Sequence, residues 1–375
     1  MSTQSLLMNK LLHISANTYS SLDGKHHHTK NIWMELAKGF NEYHIIARSL
    51  DNSYSFSQSG NIYLHLIPRI TKKSKIFFIT SLYMFRIIQK HKITHLLSQC
   101  PILGGFSAVM ASKFFKIPIM VEIHGEEYFN FLKDKYFMAK LLKFVFNNVQ
   151  KIRTLNYNMS MSLNKNGINK NIIKIPNRVN LSIFNKTKDH FSINNTVKIV
   201  SIGRFTWEKD YLNLIKYLHN SSLDFHLTLI GGGNLKNKYR AYIKKNKINA
   251  KIDLIDWIQQ EELVKIVVDS DIYIQSSVSE GMPRTIIEAM ALQMPIISTN
   301  AGSIEGVLIN NKNAIVIKTG SELELIVAIK KMIDNNSFRE AVARQGYKDV
   351  VEKYEWNKVF ELHRKEILNM KYENS

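Results

Sequence analysis

Two carboxylates with seven residues between them stand in the stretch DIYIQSSVSEGMPRTIIEAMALQMPIISTNAG, residues 271–302: Glu280 and Glu288. The apolar run Ile272 to Ser276 reads as a buried strand, followed by a polar loop containing Gly281. Pro283 is expected to open a helix, where its missing N–H costs nothing and its fixed φ suits the first turn. Ile286, Ile287 and Met290 form that helix's buried face, and a second apolar strand follows at Pro295 to Thr299. Strand, loop, helix and strand make one unit of a parallel sheet. In such sheets ligands bind at the carboxyl ends of the strands. That end holds Glu280, Gly281, Met282, Pro283, Arg284 and the first amides of a helix, which attract anions and phosphates above all. Glu288, one to two turns into the helix, can accept hydrogen bonds from sugar hydroxyls. The chemistry indicated is nucleotide-sugar binding. The bland alternative is a surface Arg284–Glu288 pair worth about 0.2–0.5 kcal/mol. That pair does not account for the flanking strands.

A second group of polar residues follows another strand, in SIGRFTWEKD, residues 201–210. Arg204 can grip a diphosphate with two parallel bonds and Lys209 can act on it as a point charge. Taken alone, two loop cations are more often solvated. LIGGGNL, residues 229–235, ends a further strand; its glycines serve a tight turn or a close approach to a nucleotide, and the sequence leaves both open. VEIHGEE, residues 121–127, sets His124 at a strand end, where a lone histidine is more often structural. Asp269, Ser270 and Asp271 spell a metal-binding D-x-D, but at the start of a strand, the wrong end for a ligand. His26, His27 and His28 are adjacent, and consecutive side chains on a helix diverge too far to share one ion. They read as an incidental cluster at a helix start.

EGMPRTIIEAMA, with Glu280 and Glu288 near its ends, resembles the signature of the retaining GT-B glycosyltransferases. The resemblance runs along nearly the whole chain and is most specific in the second half. It implies an α/β, GT-B fold of two Rossmann-like, doubly wound domains facing across a cleft. It implies transfer, with retention, of a hexosyl group from a nucleoside-diphosphate sugar to a hydroxyl. By the same resemblance Arg204 and Lys209 hold the donor diphosphate, Glu288 binds the ribose, and Glu280 and His124 face the transferred sugar. Backbone groups near Trp257 and Ile258, in DWIQQEEL, meet the base. Gly24, in NTYSSLDGK, stands where the family carries a glycine pair over the phosphates, and Glu126 lies on an acceptor-side loop. Three departures stand out. Asp210 replaces a usual glycine and leaves the local turn open. Arg178, in PNRVN, replaces another, so that it either touches the cleft or costs strain, and Asn180 replaces an aspartate. In TNAGSIEGV, Ser303 and Gly306 take the usual positions and Glu305 is displaced by one. No cofactor and no obligatory metal is expected, because cations and a helix N-terminus can neutralise a leaving diphosphate.

Composition bounds the rest. At 375 residues, 45% hydrophobic, the chain suffices for two or three domains with real cores. One cysteine, Cys100, excludes an internal disulfide framework. The N-terminus shows no signal-peptide pattern, and the longest apolar runs, near Ile76 to Phe85 and Ser107 to Val121, are too short or carry Lys113 and Lys116. The net charge is +20, and residues 1–180 hold 24 basic against 8 acidic side chains, leaving the second half close to balance. Such a basic half seeks polyanions. Lysines of the helices at Lys72 to Lys92 and Lys133 to Lys151, with Phe137, Leu141, Leu142 and Val145 of the latter turned to the sheet, suggest docking on an anionic membrane. The expected setting is the cytoplasm, peripheral on the inner face of the cytoplasmic membrane, with a glycan or lipid-linked acceptor of bacterial capsule or lipopolysaccharide synthesis.

Strand and helix patterns alternate throughout. The expected division is an acceptor-side domain over 1–180, a linker over 181–196 and a nucleotide-sugar domain over 197–355. A helix over 356–375 would pack back on the first. Two rivals remain: a sugar-nucleotide enzyme of the same fold, such as an epimerase, and a basic nucleic-acid-binding protein. No nucleic acid is expected, since no recognition module is present.

Overall fold

A computed structural model describes residues 8–22, 27–68, 78–125, 128, 136–169, 171–302, 304 and 306–373. The chain divides into two compact units, Met1–Ile175 with Phe360–Ser375, and Pro176–Val359. Each is built on a mainly parallel sheet, most of whose strands are near-continuous apolar runs, the pattern of a strand covered on both faces.

In the first unit the strands are β1 (Lys10–Tyr19), β2 (Glu42–Ser49), β3 (Ser55–Ser59), β4 (Ile62–Ile67), β5 (His95–Ser98), β6 (Ile119–Glu122), β7 (Lys151–Thr154) and β8 (Ile172–Lys174). They lie in the order β3-β4-β2-β1-β5-β6-β7-β8. Helices α1 (His27–Ala37), α2 (Phe78–His91), α3 (Leu103–Phe115), α4 (Tyr136–Asn147) and α5 (Tyr157–Lys165) connect them. Every pairing is parallel except that of β3 with β4.

The second unit has β9 (Val197–Ile202), β10 (Phe225–Ile230), β11 (Ile252–Ile255), β12 (Ile272–Gln275), β13 (Ile296–Thr299) and β14 (Ile315–Ile317), ordered β11-β10-β9-β12-β13-β14. Its helices are α6 (Tyr211–Asn220), α7 (Lys236–Lys245), α8 (Gln260–Val268), α9 (Arg284–Ala291), α10 (Glu322–Asp334) and α11 (Asn336–Lys353); α12 (Trp356–Leu368) ends the chain. The order reverses between β9 and β12, and between β1 and β5, the switch points at which doubly wound sheets open a crevice for ligands.

Several expectations need correction. The first unit ends at Ile175 rather than 180. The stretch 181–196 contains no helix or strand, yet it is part of the second unit rather than a free linker. Buried Lys188 donates to Ser270 O at 2.7 Å and Val268 O at 3.2 Å, and Arg339 donates to Phe191 O. Isolated anchors of this kind leave no periodicity in the sequence. Strand β3, with the sequence SFSQS, and helix α11 show no apolar period in the sequence. The buried positions of α11 are Arg339, Val342, Ala343, Gly346, Asp349 and Val350, a helical spacing whose polar and small members hide it from hydropathy. Pro283 sits just before α9, with φ −68° and ψ 119°, not within its first turn. Phe137, expected on the buried stripe of α4, is 74% exposed, while Leu142, Val145 and Phe146 are buried.

Candidate functional site

The loops after β9 and β12 carry most of the residues singled out. Strand β9 ends at Ile202 and the chain passes through Gly203 to Arg204, exposed, and Phe205, buried. A short 3-10 turn, Trp207–Lys209, brings Lys209 back toward the sheet. The turn closes at Asp210, whose φ of 52° and ψ of 31° are left-handed. The residue that replaces glycine thus adopts the conformation a glycine would, and aspartate tolerates it better than most side chains. Its carboxylate accepts from Asn213 Nδ2 at 3.0 and 3.2 Å. Burial pushes the Asp210 carboxyl above its usual range, with Asn213 and the charge of Lys216 offsetting part of this.

Three side chains converge on one carboxylate oxygen of Glu280. Lys209 Nζ lies 2.5 Å from Glu280 Oε1, and Gln275 Nε2 and Ser277 Oγ donate to the same atom at 2.6 Å. All three bonds go to Oε1, so Oε2 is not engaged by them. Ser276 Oγ donates to Lys209 O at 2.8 Å and Val278 N donates to Glu208 O at 2.8 Å, which ties the two loops together. Lys209 and Glu280 are largely buried. Gly302, at φ 65°, passes so close behind this loop that a Cβ there would stand 1.9 Å from Glu280 O. The backbone position of Glu280 is therefore fixed by a glycine's lack of side chain.

After Glu280 come Gly281 and Met282. Met282 O accepts from Asn177 Nδ2 at 2.7 Å, which binds the PNRVN segment to this loop. Pro283 supplies no side-chain cap to α9. Arg284 is exposed in the first turn, and Glu288, half-buried, follows one turn on. Burial pushes the Glu288 carboxyl up, and Arg284's charge offsets only part of the shift. Trp257 is exposed after β11, its indole within 3.4 Å of the place a Gly232 Cβ would take; Ile258 beside it is half-buried. The strain expected at Arg178 is absent: it is not among the described residues with positive φ, and its guanidinium lies over the Trp356 ring at 5.5 Å. Asp271 Oδ2 accepts from Lys198 N at 2.8 Å and Asp271 N donates to Lys198 O at 2.7 Å, so this D-x-D pins the opening of β12 to β9. Gly24, Glu126, Asp23, His26, Ser303 and Glu305 lie outside the described residues, and for His27 and His28 only the backbone is described.

His124 belongs to the first unit, two residues beyond β6. Its Nε2 is 3.1 Å from Glu122 Oε2. Glu122 is not among the residues that the sequence singles out. Its Oε1 is 2.6 Å from Arg153 Nη1 and 3.1 Å from His363 Nε2 of α12, and Glu122, Arg153 and His363 are all buried. Burial alone would raise the Glu122 carboxyl. Arg153's charge and the hydrogen bonds from both histidines outweigh it and hold the group well below the usual carboxylate range. The available signal is an acid inside the apolar run IMVE, since a buried charge needs partners. Gln275, Ser277 and Asn177 likewise carry no sequence signal of their roles.

Residues 183–349 match the family model of glycosyl transferases group 1, and residues 21–156 that of glycosyl transferase 4-like domains. The chain is a GT-B glycosyltransferase. This glycosyltransferase is 25% identical to the uncharacterised glycosyltransferase MJ1178 of Methanocaldococcus jannaschii, over 84% of this chain and 87% of that protein. It is 24% identical to the capsular polysaccharide biosynthesis glycosyltransferase CapM of Staphylococcus aureus, over 44% of each. Among solved structures, Anabaena HepE in complex with UDP superposes with a TM-score of 0.75 at 13% identity, covering 96% of this chain and 100% of that one. At that identity the likeness is one of fold.

Proposed function

We propose that this glycosyltransferase is a retaining hexosyltransferase that uses a nucleoside-diphosphate sugar and acts on a glycan or lipid-linked acceptor in envelope polysaccharide synthesis. The observation that carries the reading is the convergence of Lys209, Gln275 and Ser277 on Oε1 of Glu280, at the carboxyl ends of the switch-point strands. Glu280 then keeps Oε2 for a hydroxyl of the transferred sugar. Lys209 and Arg204 face the developing charge of the leaving diphosphate, with the uncapped start of α9 as a third source of positive potential. Glu288 takes the ribose, and His124, steered by Glu122, hydrogen-bonds a substrate hydroxyl. On this reading no obligatory cation takes part, since the fixed positive groups do that work. HepE's complex with UDP and CapM's place in capsule synthesis support the donor and acceptor classes.

Lys113 and Phe114 of α3, Lys116 just beyond it, and Phe137, Lys140 and Lys143 of α4 are all exposed, apolar and basic side chains suited to anionic lipid. No described helix is long and apolar enough to cross a membrane.

The test is a panel of UDP-, GDP- and dTDP-sugars read by thermal shift and slow hydrolysis, followed by Lys209→Ala and Arg204→Ala with the best donor. Each variant is expected to lose about 2–4 kcal/mol of transition-state stabilisation while remaining folded. Near-normal turnover in both would reject the diphosphate role. Co-sedimentation with anionic but not zwitterionic liposomes, weakening with salt and lost in Lys140→Glu/Lys143→Glu, tests the membrane part.

A further inference from the structure

A second polar cluster lies in the first unit, away from the carboxyl ends of its strands. Glu42 is the first residue of β2, His44 follows two residues on along the same face, and His91 ends α2. Lys10, the first residue of β1, stands beside them. The cluster is therefore at the amino ends of β1 and β2, opposite the end where a doubly wound sheet binds its substrate.

Its geometry is that of a ligand set. Among the described residues, Glu42, His44 and His91 are the one group of three whose ligand atoms all lie within 4.8 Å of one another. Glu42 Oε2 is 2.9 Å from His44 Nε2 and 3.5 Å from His91 Nδ1. A tetrahedral zinc ion with bonds of about 2.0–2.1 Å holds its donor atoms about 3.4 Å apart, so small side-chain movements admit it. The tautomer is provided for as well. With Nε2 on a metal, His44 carries its proton on Nδ1, and that atom lies 3.1 Å from His65 Nε2, which can accept it. His44 is buried and its ring stacks on Tyr63 at 4.5 Å, which fixes its plane. Glu42 and His91 are partly exposed, so the site opens to water. Lys10 donates to Glu42 Oε1 at 2.5 Å and leaves Oε2 to face the two imidazoles.

We propose that Glu42 Oε2, His44 Nε2 and His91 Nδ1 bind a structural Zn(II) ion that ties the end of α2 to β2, with water as the fourth ligand. Two neutral imidazoles and one carboxylate suit zinc better than the all-oxygen cations. Burial keeps His44 and His91 toward the neutral form that ligation needs. In the bound state each neutral imidazole carries its single proton on the nitrogen away from the ion, His44 on Nδ1 and His91 on Nε2, so neutral ligands bind without net proton release. The positive charge of Lys10 opposes the ion, so the site is weaker than its ligand count alone implies.

The experiment strips the full-length protein with a chelator and titrates it with Zn(II) alone against a chromophoric indicator. One equivalent is expected, with a rise in thermal unfolding temperature, and Co(II) in place of zinc should give the visible bands of a four-coordinate ion. His91→Gln, at the rim, should remove the equivalent while leaving the metal-free unfolding temperature unchanged, and Glu42→Gln should weaken it. Lys10→Gln should tighten it by on the order of tenfold, by removing a like charge. The variant with His26, His27 and His28 all replaced by glutamine should bind as the wild type does. The proposal is overturned if the wild type binds no equivalent, if Co(II) shows only six-coordinate bands, if His91→Gln binds as tightly as wild type, or if the His26–His28 variant loses the ion. The cobalt spectrum needs no substitution, so it decides even if a variant fails to fold.

Discussion

Glu122→Gln examines the network behind His124. In the folded protein the carboxylate is buried, paired with Arg153 at 2.6 Å and approached by His124 and His363 at 3.1 Å each. Glutamine conserves the volume, so no cavity term enters. The charge is lost, and Arg153 is left buried without its counter-ion. Removing one partner of a buried pair costs about 3–5 kcal/mol, mostly the desolvation of the survivor. Against a domain stability of about 5–15 kcal/mol that is a large share. Urea unfolding followed by circular dichroism should show it, together with faster exchange of the Ile123 amide, which donates to Arg153 O at 2.9 Å. Glu122→Gln/Arg153→Met should be less destabilised than the sum of its single variants, because no unpaired charge remains. Acid pH supplies a second axis. A carboxyl whose folded pKa is depressed contributes stability that is present above its unfolded pKa and is lost as pH falls toward the folded value. Since Glu122 is held well below the usual range, the difference between wild type and Glu122→Gln should be full above the ordinary carboxylate pKa, shrink as pH falls below it and close only near the depressed folded value. A loss under about 1 kcal/mol, or strict additivity in the double variant, would refute the idea that this pair carries the network.

Gly302→Ala should destabilise the second unit by about 2–4 kcal/mol, from left-handed backbone and from overlap with Glu280 O, and should lower turnover by displacing Glu280; unchanged stability and kinetics would contradict the close approach. Asp210→Gly should be more stable than Asp210→Ala by about 1 kcal/mol, because only glycine meets φ 52° without penalty; the reverse order in thermal melts would refute the left-handed turn. Glu288→Gln should stabilise the free protein at neutral pH while weakening nucleoside-diphosphate binding. Its folded pKa is raised, so the ionised carboxyl opposes folding once pH rises through that value; a lower melting temperature, or unchanged nucleotide affinity by calorimetry, would count against it.

The amino-acid sequence determined the strands. The strands expected at Ile272 to Ser276 and Pro295 to Thr299 stand in the fold at Ile272–Gln275 and Ile296–Thr299, within one residue of where their apolar runs begin and end. A strand buried on both faces writes its whole length in apolar residues. The loop after β12 was legible for the same reason, since a loop leaving the carboxyl end of a buried strand in an α/β unit lies at the ligand end. Burial visible residue by residue stops at polar contacts. Helix α11 packs Arg339, Gly346 and Asp349 inward, and β3 is a polar edge strand that pairs, among the described strands, with β4 alone, so neither shows an apolar pattern. The left-handed Asp210, the bonds of Lys209, Gln275 and Ser277 to one oxygen of Glu280, and the seating of His124 on Glu122 depend on how separate loops and strands come together. Periodicity reports which face of one element is covered. It carries no information about which charged groups from different elements will meet, because that depends on register and crossover, and these exist only once the sheet has formed.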